Sequence, residues 1–167
     1  MTIFLIGGGA RSGKSSHALN IAKERAFGKP ILFIATAQAS DEEMATRIAN
    51  HKKERDEQFV LVEEPLNLTS ALSKNIEIEV CIVDCLTLWL SNNFEDSVEG
   101  TFSNVITAAK KRKGVVIFIT NEVGEGIVPM HPVSRAFRDM SGRMNQFFAH
   151  TAEEVSFMRF GIEQKLK

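Results

Sequence analysis

The sequence predicts an α/β fold, a three-layer sandwich in which helices cover both faces of a mostly parallel central sheet. Two observations support this prediction. Short apolar runs alternate with longer amphipathic runs along the 167 residues, which is the order of elements in strands joined by crossover helices. The apolar runs are also continuous, as expected of strands that are buried on both faces. Ligands of such sheets bind beyond the carboxyl ends of the strands, so we look for function in the turns that follow them.

The individual elements follow from this pattern in chain order. We expect seven strands, at residues 3–6, 31–34, 59–62, 80–83, 115–119, 154–160 and 162–166. We expect helices at residues 15–26, 41–55, 65–72, 86–92, 102–111 and 133–149, the last with Pro132 near its start. The polar residues at 93–101 predict a surface loop. The turns after Ile6, Ile34, Val83 and Ile119 all carry polar residues or glycine.

Composition and charge limit the classes of function. With 44% hydrophobic and 25% charged residues, the chain has the composition of a globular protein, and its length suits a single domain over 1–167. The net charge of −1 indicates no general attraction to nucleic acid or to anionic membranes. No apolar run reaches the ~20 residues of a membrane span, and the first apolar run lacks a basic leader, which favours a cytoplasmic protein. Cys81 and Cys85 lie in an apolar stretch and are expected to be buried free thiols.

The turn after the first strand carries a phosphate-binding motif. Gly8-x4-Gly13-Lys14-Ser15 matches the P-loop pattern, with a strand before it and a helix after it. Glycines let backbone N–H groups turn toward phosphate oxygens, and the helix N-terminus adds partial positive charge. We expect Lys14 to reach the β- and γ-phosphates and Ser15 to bind Mg²⁺. The motif therefore predicts a P-loop NTPase-like sandwich in which the triphosphate is bound by Gly8, Gly9, Ala10, Arg11, Ser12, Gly13, Lys14 and Ser15.

A P-loop also needs a second magnesium ligand, an acid at the end of another apolar strand. Asp84 ends the fourth predicted strand and fits that role. An alternative is that Asp84 caps the following helix, and the two roles are compatible. The P-loop by itself does not separate a kinase from an ATPase or a GTPase switch. The chain lacks an Asn-Lys-x-Asp guanine-recognition sequence, which weakens the switch hypothesis.

The second predicted helix carries Arg47, His51 and Arg55 at a spacing of four, so these side chains share one face. The two cations disfavour protonation of the imidazole. A neutral imidazole can attack phosphorus while arginines hold phosphate oxygens. The alternative is a solvated basic helix face, which the neighbouring Lys52 and Lys53 support.

Further motifs recur in order over essentially the whole chain. They are Ile34-Ala35-Thr36-Ala37-Gln38, Asp41-Glu42-Glu43-Met44, Val62-Glu63-Glu64-Pro65, Val83-Asp84-Cys85-Leu86-Thr87-Leu88-Trp89-Leu90-Ser91-Asn92, Thr120-Asn121-Glu122-Val123-Gly124, and Arg135-x-Phe137-Arg138-Asp139-x-x-Gly142-Arg143-x-Asn145-Gln146. Together with the P-loop and the His51 helix, they resemble the bifunctional adenosylcobinamide kinase/adenosylcobinamide-phosphate guanylyltransferase family.

The resemblance implies two reactions of cobalamin assembly. A nucleoside triphosphate, ATP or GTP, first phosphorylates the aminopropanol hydroxyl of adenosylcobinamide. GTP then transfers GMP to adenosylcobinamide phosphate, giving adenosylcobinamide-GDP and pyrophosphate. The resemblance also implies that His51 carries GMP as a phosphoramidate, that Mg²⁺ takes part, and that the enzyme is a homo-oligomer such as a trimer. Beyond the P-loop, the implied nucleotide contacts are Ala35, Thr36, Ala37, His51, Lys52, Lys53, Glu54, Glu63 and Asp84.

The chain departs from the family pattern in two places. Asp56 stands where a proline is expected after the helix motif, and the chain is slightly short near residues 93–101. Two rival functions also stay open at this point. One is a P-loop kinase of another small hydroxyl substrate without GMP transfer, and the other is a non-catalytic nucleotide-binding module.

Several residues have two open interpretations. Asn121 and Glu122 follow the fifth strand, where either a catalytic loop or a plain connection fits. Trp89 fits the core or a subunit interface better than a cofactor platform. A set of arginines either contacts phosphate or a neighbouring subunit, or lies on a solvated helix face: Arg135, Arg138 and Arg143.

Overall fold

A computed structural model describes residues 1–38, 57–94 and 98–167 of the chain. Its centre is one sheet of seven strands in the order β3-β2-β4-β5-β1-β6-β7. Six strands run parallel, and only β7 is antiparallel, to its neighbour β6. The strands are β1 Thr2–Gly8, β2 Ile31–Ala35, β3 Phe59–Glu63, β4 Val80–Asp84, β5 Val115–Ile119, β6 Glu154–Arg159 and β7 Ile162–Lys165.

The parallel register brings the functional turns to one edge. A single row of paired residues crosses the sheet near the carboxyl ends of its strands: Glu63, Ala35, Asp84, Ile119 and Ile6. The turns after Ile6, Ala35, Asp84 and Ile119 therefore open on the same side. This arrangement confirms the predicted α/β sandwich with a mostly parallel sheet.

Helices pack on both faces of the sheet. The described helices are α1 Lys14–Ala26, α2 Leu68–Ser73, α3 Leu86–Asn92, α4 Phe102–Lys111 and α5 Pro132–Thr151, with a 3-10 turn at Val98–Thr101. The bounds of α3 and α4 are those predicted from the sequence. The helix predicted at 41–55 lies outside the described residues.

The hydrophobic core is divided by the sheet into two clusters. On one face, α1 packs through small alanines, Ala18, Ala22 and Ala26, so its backbone lies close to the strands. On the other face, large side chains fill the space beneath α2 to α5. Trp89 belongs to this second cluster and is buried, so its expected place in the core is confirmed.

The predicted start of α2 at residue 65 is wrong. The helix begins at Leu68, because Asn67 is its N-cap and accepts a hydrogen bond from Ser70 N at 2.9 Å. Glu64 Oε1 accepts hydrogen bonds from the N–H groups of Leu66 and Asn67, at 3.1 and 2.9 Å. These bonds hold the preceding residues in a turn.

Glu99, Gly100 and Thr101 are exposed, as expected of the surface loop predicted at 93–101, but the last four residues of that loop have regular structure. They form the 3-10 turn, and Val98 is buried in the larger core cluster. One apolar residue in a polar stretch is enough to anchor this segment to the core. Residues 95–97 lie outside the described part of the chain.

Both cysteines are free and buried, as expected. Burial raises the pKa of each thiol to about 12. The thiols are therefore protonated at neutral pH and unreactive.

A buried arginine ties the core together near α2. Arg112 follows α4, is 2% exposed, and donates hydrogen bonds to four backbone carbonyls between 2.6 and 3.0 Å, those of Leu72, Lys74, Asn75 and Ile78. Nothing in the sequence pattern distinguishes it from a surface arginine.

We predict that Arg112→Ala lowers the free energy of unfolding by about 3 kcal/mol, because four carbonyls lose their donor inside the protein. Arg143→Ala is the control, since Arg143 forms a half-exposed ion pair with Glu99 and should cost at most about 1 kcal/mol. Urea unfolding measures both values. Equal losses in the two variants would contradict the structural role of Arg112.

Candidate functional site

The predicted P-loop connects β1 to α1 at the carboxyl edge of the sheet. Gly8 ends β1, and Gly13 is the N-cap of α1 in the left-handed conformation, with φ of 97°. The first turn of α1 therefore directs its unpaired N–H groups at the space above the loop.

Gly8 is required by its surroundings. Its φ is 148°, and a Cβ at this position would lie 2.5 Å from Met158 O and 2.7 Å from Ser12 Oγ. The glycine thus lets β6 approach the loop closely.

The ammonium of Lys14 lies inside the loop. Its Nζ donates to Gly9 O at 2.5 Å and contacts Ser12 Oγ at 3.4 Å, and the residue is only 7% exposed. Burial lowers the pKa of Lys14, and the nearby side chains of Cys85 and Asp84 oppose that shift. The lysine is thus held within the curve of the loop, where the P-loop pattern places the β- and γ-phosphates.

Ser15 and Asp84 meet across the sheet edge. Ser15 Oγ donates to Asp84 Oδ2 at 3.2 Å. Asp84 is not the N-cap of α3, because that residue is Cys85, and its role as a metal ligand stays a prediction. A hydroxyl and a carboxylate are hard oxygen donors and fit Mg²⁺, which takes few protein ligands and completes its shell with phosphates and water. No group of three or more His, Cys, Asp or Glu side chains that could hold a metal occurs among the described residues.

Thr36 links the ends of β2 and β4. Its hydroxyl accepts a hydrogen bond from Cys85 N and donates to Cys85 O, both at 2.8 Å, and the residue is fully buried. Asn92 Nδ2 donates to Thr36 O at 2.8 Å. The turn with Ala35, Thr36 and Ala37 is thereby joined to Cys85, and Thr36 N donates to Asp84 O at 3.0 Å. Glu63 ends β3 beside Ala35. Asn92 was not predicted as a site residue, because its only signal in the sequence is its place in the motif that follows Asp84.

The arginines of α5 hold the connection that follows β5. Arg138 Nη2 donates to Gly124 O, and Arg135 Nη1 donates to Pro129 O and Met130 O at 3.0 and 2.6 Å. These arginines bind backbone carbonyls of the chain itself. Arg143 lies apart from them and pairs with Glu99 at 3.1 Å.

The β6–β7 hairpin supports the P-loop from the other side. Gly161 N donates to Ser12 O at 3.1 Å. His17 Nε2, in the first turn of α1, lies 3.3 Å from Glu163 Oε1, and the hydrogen bond from Ser156 lowers the pKa of the Glu163 carboxyl. Sequence reasoning found the hairpin but not its contact with the loop.

The structure does not describe the predicted helix that carries Arg47, His51 and Arg55. Residues 39–56 lie outside the described ranges, so the predicted roles of His51, Lys52, Lys53 and Glu54 stay predictions.

The fold and the Gly8–Ser15 loop with its Ser15–Asp84 contact define a P-loop nucleotide-binding protein. Residues 4–166 match the family model described as cobinamide kinase / cobinamide phosphate guanyltransferase. The chain belongs to that family.

Curated relatives agree with this assignment. The chain is 39% identical to the bifunctional adenosylcobalamin biosynthesis protein CobP of Pseudomonas aeruginosa, over 98% of this chain and 96% of the relative. It is 34% identical to the bifunctional adenosylcobalamin biosynthesis protein CobU of Escherichia coli, over 99% of both chains.

Solved structures support the fold alone. The flagellar accessory protein FlaH of Methanocaldococcus jannaschii superposes with a TM-score of 0.58 at 13% identity, covering 99% of this chain and 78% of that one. The RadB recombinase superposes with a TM-score of 0.56 at 16% identity, covering 93% of this chain and 73% of the recombinase. In the ranges that the structure describes, no helix is both long and apolar enough to span a membrane.

We predict that Gly8→Ala raises the Kd for GTP about tenfold or more, corresponding to at least ~1.4 kcal/mol. The added Cβ meets a backbone oxygen, and the positive φ is strained for alanine. Gly142→Ala is the matched control, because a Cβ there has no atom within 4 Å. Calorimetric titration measures both, and unchanged affinity in Gly8→Ala would refute the importance of this close approach.

Proposed function

We propose that this chain phosphorylates adenosylcobinamide with ATP or GTP and then transfers GMP from GTP to adenosylcobinamide phosphate, giving adenosylcobinamide-GDP. The observation that carries the proposal is the position of Lys14 within the P-loop together with the Ser15–Asp84 contact. We propose that these residues form one triphosphate site. Family membership over residues 4–166 supplies the pair of reactions.

In the kinase step, the site would bind the nucleotide and neutralise its charge. Lys14 and the N–H groups of the loop would hold the β- and γ-phosphates in place while the acceptor hydroxyl attacks the γ-phosphorus. Ser15 and Asp84 would hold Mg²⁺, which when bound spreads the charge that develops on the phosphate oxygens.

In the guanylyl step, the same GTP would be attacked at its α-phosphorus. The row of paired residues supports this geometry, because Glu63 on β3 lies four strands away from Ile6 on β1. Neighbouring strands lie about 4.7–4.9 Å apart, so β3 and β1 are separated by about 19 Å. This distance is on the scale of an extended nucleoside triphosphate. Guanosine near Glu63 and pyrophosphate in the P-loop would leave the α-phosphorus between them, near Thr36 and Asp84.

A histidine nucleophile divides this displacement into two steps. We propose that a ring nitrogen of His51 forms a bond to the α-phosphorus as the bond to the bridging oxygen breaks, and pyrophosphate leaves from the P-loop. A phosphate oxygen of adenosylcobinamide phosphate then attacks the same phosphorus, which releases His51. The product carries the GMP group as a diphosphate linkage.

We also propose a homo-oligomer, with a trimer as the specific expectation. Strongly exposed apolar side chains support a subunit contact. Among the described residues, four of them exceed 85% exposure, Phe27, Ile127, Met130 and Phe160.

We predict that α-labelled GTP labels the protein and that His51→Ala abolishes the label. A phosphoramidate is labile in acid and stable in base, which separates it from a phosphate ester. His150→Ala is the control, because His150 lies exposed in the last turn of α5 and should leave the label intact. GTP binding without label would favour the rival kinase, and binding without any product would favour the non-catalytic module.

We predict that Lys14→Ala impairs both reactions, because both place phosphates in the P-loop. His51→Ala should remove guanylyl transfer and spare phosphorylation of adenosylcobinamide. Chromatographic separation of the phosphorylated and GMP-bearing products measures the two rates. Loss of both activities in a folded His51→Ala protein would instead indicate a shared structural role for His51.

A further inference from the structure

A closed ring of hydrogen bonds lies beneath the turn that follows β5. Thr120 Oγ1 donates to Asn145 Oδ1 at 2.7 Å, and Asn145 Nδ2 donates to Asn121 O at 3.3 Å. Asn121 N donates to Thr87 Oγ1 at 2.7 Å, and Thr87 Oγ1 lies 3.2 Å from Thr120 Oγ1. The ring joins α3, the end of β5 and α5.

The proton positions in this ring follow from chemistry. Asn121 O is a carbonyl and can only accept, so the Asn145 atom that faces it is the amide nitrogen. The Thr120 proton then points to Asn145 Oδ1, which makes Thr87 the donor to Thr120. Each member both donates and accepts within the ring. Thr87 and Thr120 are 7% and 2% exposed, so breaking the ring leaves buried polar groups without partners.

The ring holds the backbone of Asn121, and the next residue in the chain is Glu122. Glu122 N donates to Gly8 O at 3.0 Å, which attaches the turn to the first residue of the P-loop. Arg138 holds Gly124 O on the far side. Hydrogen bonds therefore hold the backbone around Glu122 in two places, to the P-loop at Glu122 itself and to α5 at Gly124.

The carboxylate of Glu122 is also held. Its Oε1 accepts a hydrogen bond from Gly124 N, and this bond leaves Oε2 with its own lone pairs. A Cβ on Gly124 would lie 2.7 Å from Oε1, so glycine is the residue that leaves room for this arrangement.

Other carboxylates near this edge, in the part of the chain that the structure describes, have different partners or lie farther away. Asp84 is bonded to Ser15. Glu125 pairs with Arg159 at 3.2 Å. Glu63 stands four strands away from β1. Of these four acids, Glu122 is the one whose own backbone is bonded to the first glycine of the P-loop.

We propose that Glu122 is the general base of the kinase step, and that Thr87, Thr120 and Asn145 are positioning residues for it. The inference rests on the proposed function. The acceptor hydroxyl gives its proton to the Glu122 carboxylate, its oxygen forms a bond to the γ-phosphorus, and the bond to the β,γ-bridging oxygen breaks. The nucleoside diphosphate leaves with that electron pair.

The two reactions differ in their need for this base. The acceptor in the kinase step is a neutral hydroxyl that must lose a proton. The nucleophiles of guanylyl transfer are an imidazole and an ionised phosphate, and neither has a hydroxyl proton to remove. Glu122 is therefore specific to one of the two activities of the same protein.

The test is Glu122→Gln in the full chain, with Glu125→Gln as the matched control on the same connection. We expect phosphorylation of adenosylcobinamide to fall about 100-fold or more. GMP labelling and guanylyl transfer to adenosylcobinamide phosphate should stay at the wild-type rate. Equal loss of both activities, or an unchanged kinase rate, would overturn the inference. A wild-type protein that takes no GMP label would instead overturn the guanylyl half of the proposed function.

Two substitutions of Thr87 test whether the ring positions Glu122. Thr87→Val keeps the shape but removes the hydroxyl, whereas Thr87→Ser keeps the hydroxyl. We expect Thr87→Val to lower kcat of the kinase about tenfold, at the low end of general-base effects, without changing KM for the nucleotide or the guanylyl rate. Thr87→Ser should restore kcat. Equal kinase rates in the two variants would refute the positioning role.

Discussion

The parallel register of the sheet is the constraint on which the site depends. Parallel strands end at the same edge, so four turns that are far apart in the chain converge there. Glu63, Ala35, Asp84, Ile119 and Ile6 form one row across that edge. The hydrogen bond from Ser15 to Asp84 joins residues 69 positions apart. A register shift of one residue in any of these strands would move its turn out of line and turn its apolar side chains to the other face.

This geometry explains how one loop can take part in two displacements. We propose that the P-loop binds the phosphate groups whichever of their bonds breaks, because it offers them backbone N–H groups and one ammonium. Which phosphorus atom reacts would then depend on which catalytic side chain lies beside it. On our account, Glu122 stands attached to the P-loop beside the γ-phosphate end, while His51 belongs to a segment that must approach the α-phosphorus. Burial lowers the pKa of Lys14, and on our proposal its ammonium would contact the phosphates in both reactions.

Much of the fold was predictable because it follows from local patterns. Continuous apolar runs located β1 to β5, alternation located β6, and β7 was expected only as a short strand beside Gly161. The helices α3 and α4 have the bounds that periodicity predicts. The P-loop was recognisable because glycine, lysine and serine stand at a fixed spacing between strand and helix. The start of α2 was missed because the Asn67 cap competes with Pro65, and either residue can begin a helix.

The features of the structure that were not predicted depend on contacts between residues that are far apart in the sequence. The ring of Thr87, Thr120, Asn121 and Asn145 spans 58 positions, and the contact of Gly161 with Ser12 spans 149. Neither leaves a periodic signal in the sequence. The buried Arg112 is likewise defined by carbonyls that precede it by 34 to 40 positions.

A GTP analogue with a methylene bridge between its α- and β-phosphates tests most directly whether one nucleotide site serves both reactions. This analogue can donate its γ-phosphoryl group but cannot donate GMP. Two constants of the analogue are compared. One is the concentration at which it half-saturates the enzyme as phosphate donor, and the other is its inhibition constant when GTP labels the protein with GMP. A single site predicts competitive inhibition with matching constants. Phosphorylation of adenosylcobinamide by the analogue with no effect on GMP labelling would show two separate sites and contradict the account.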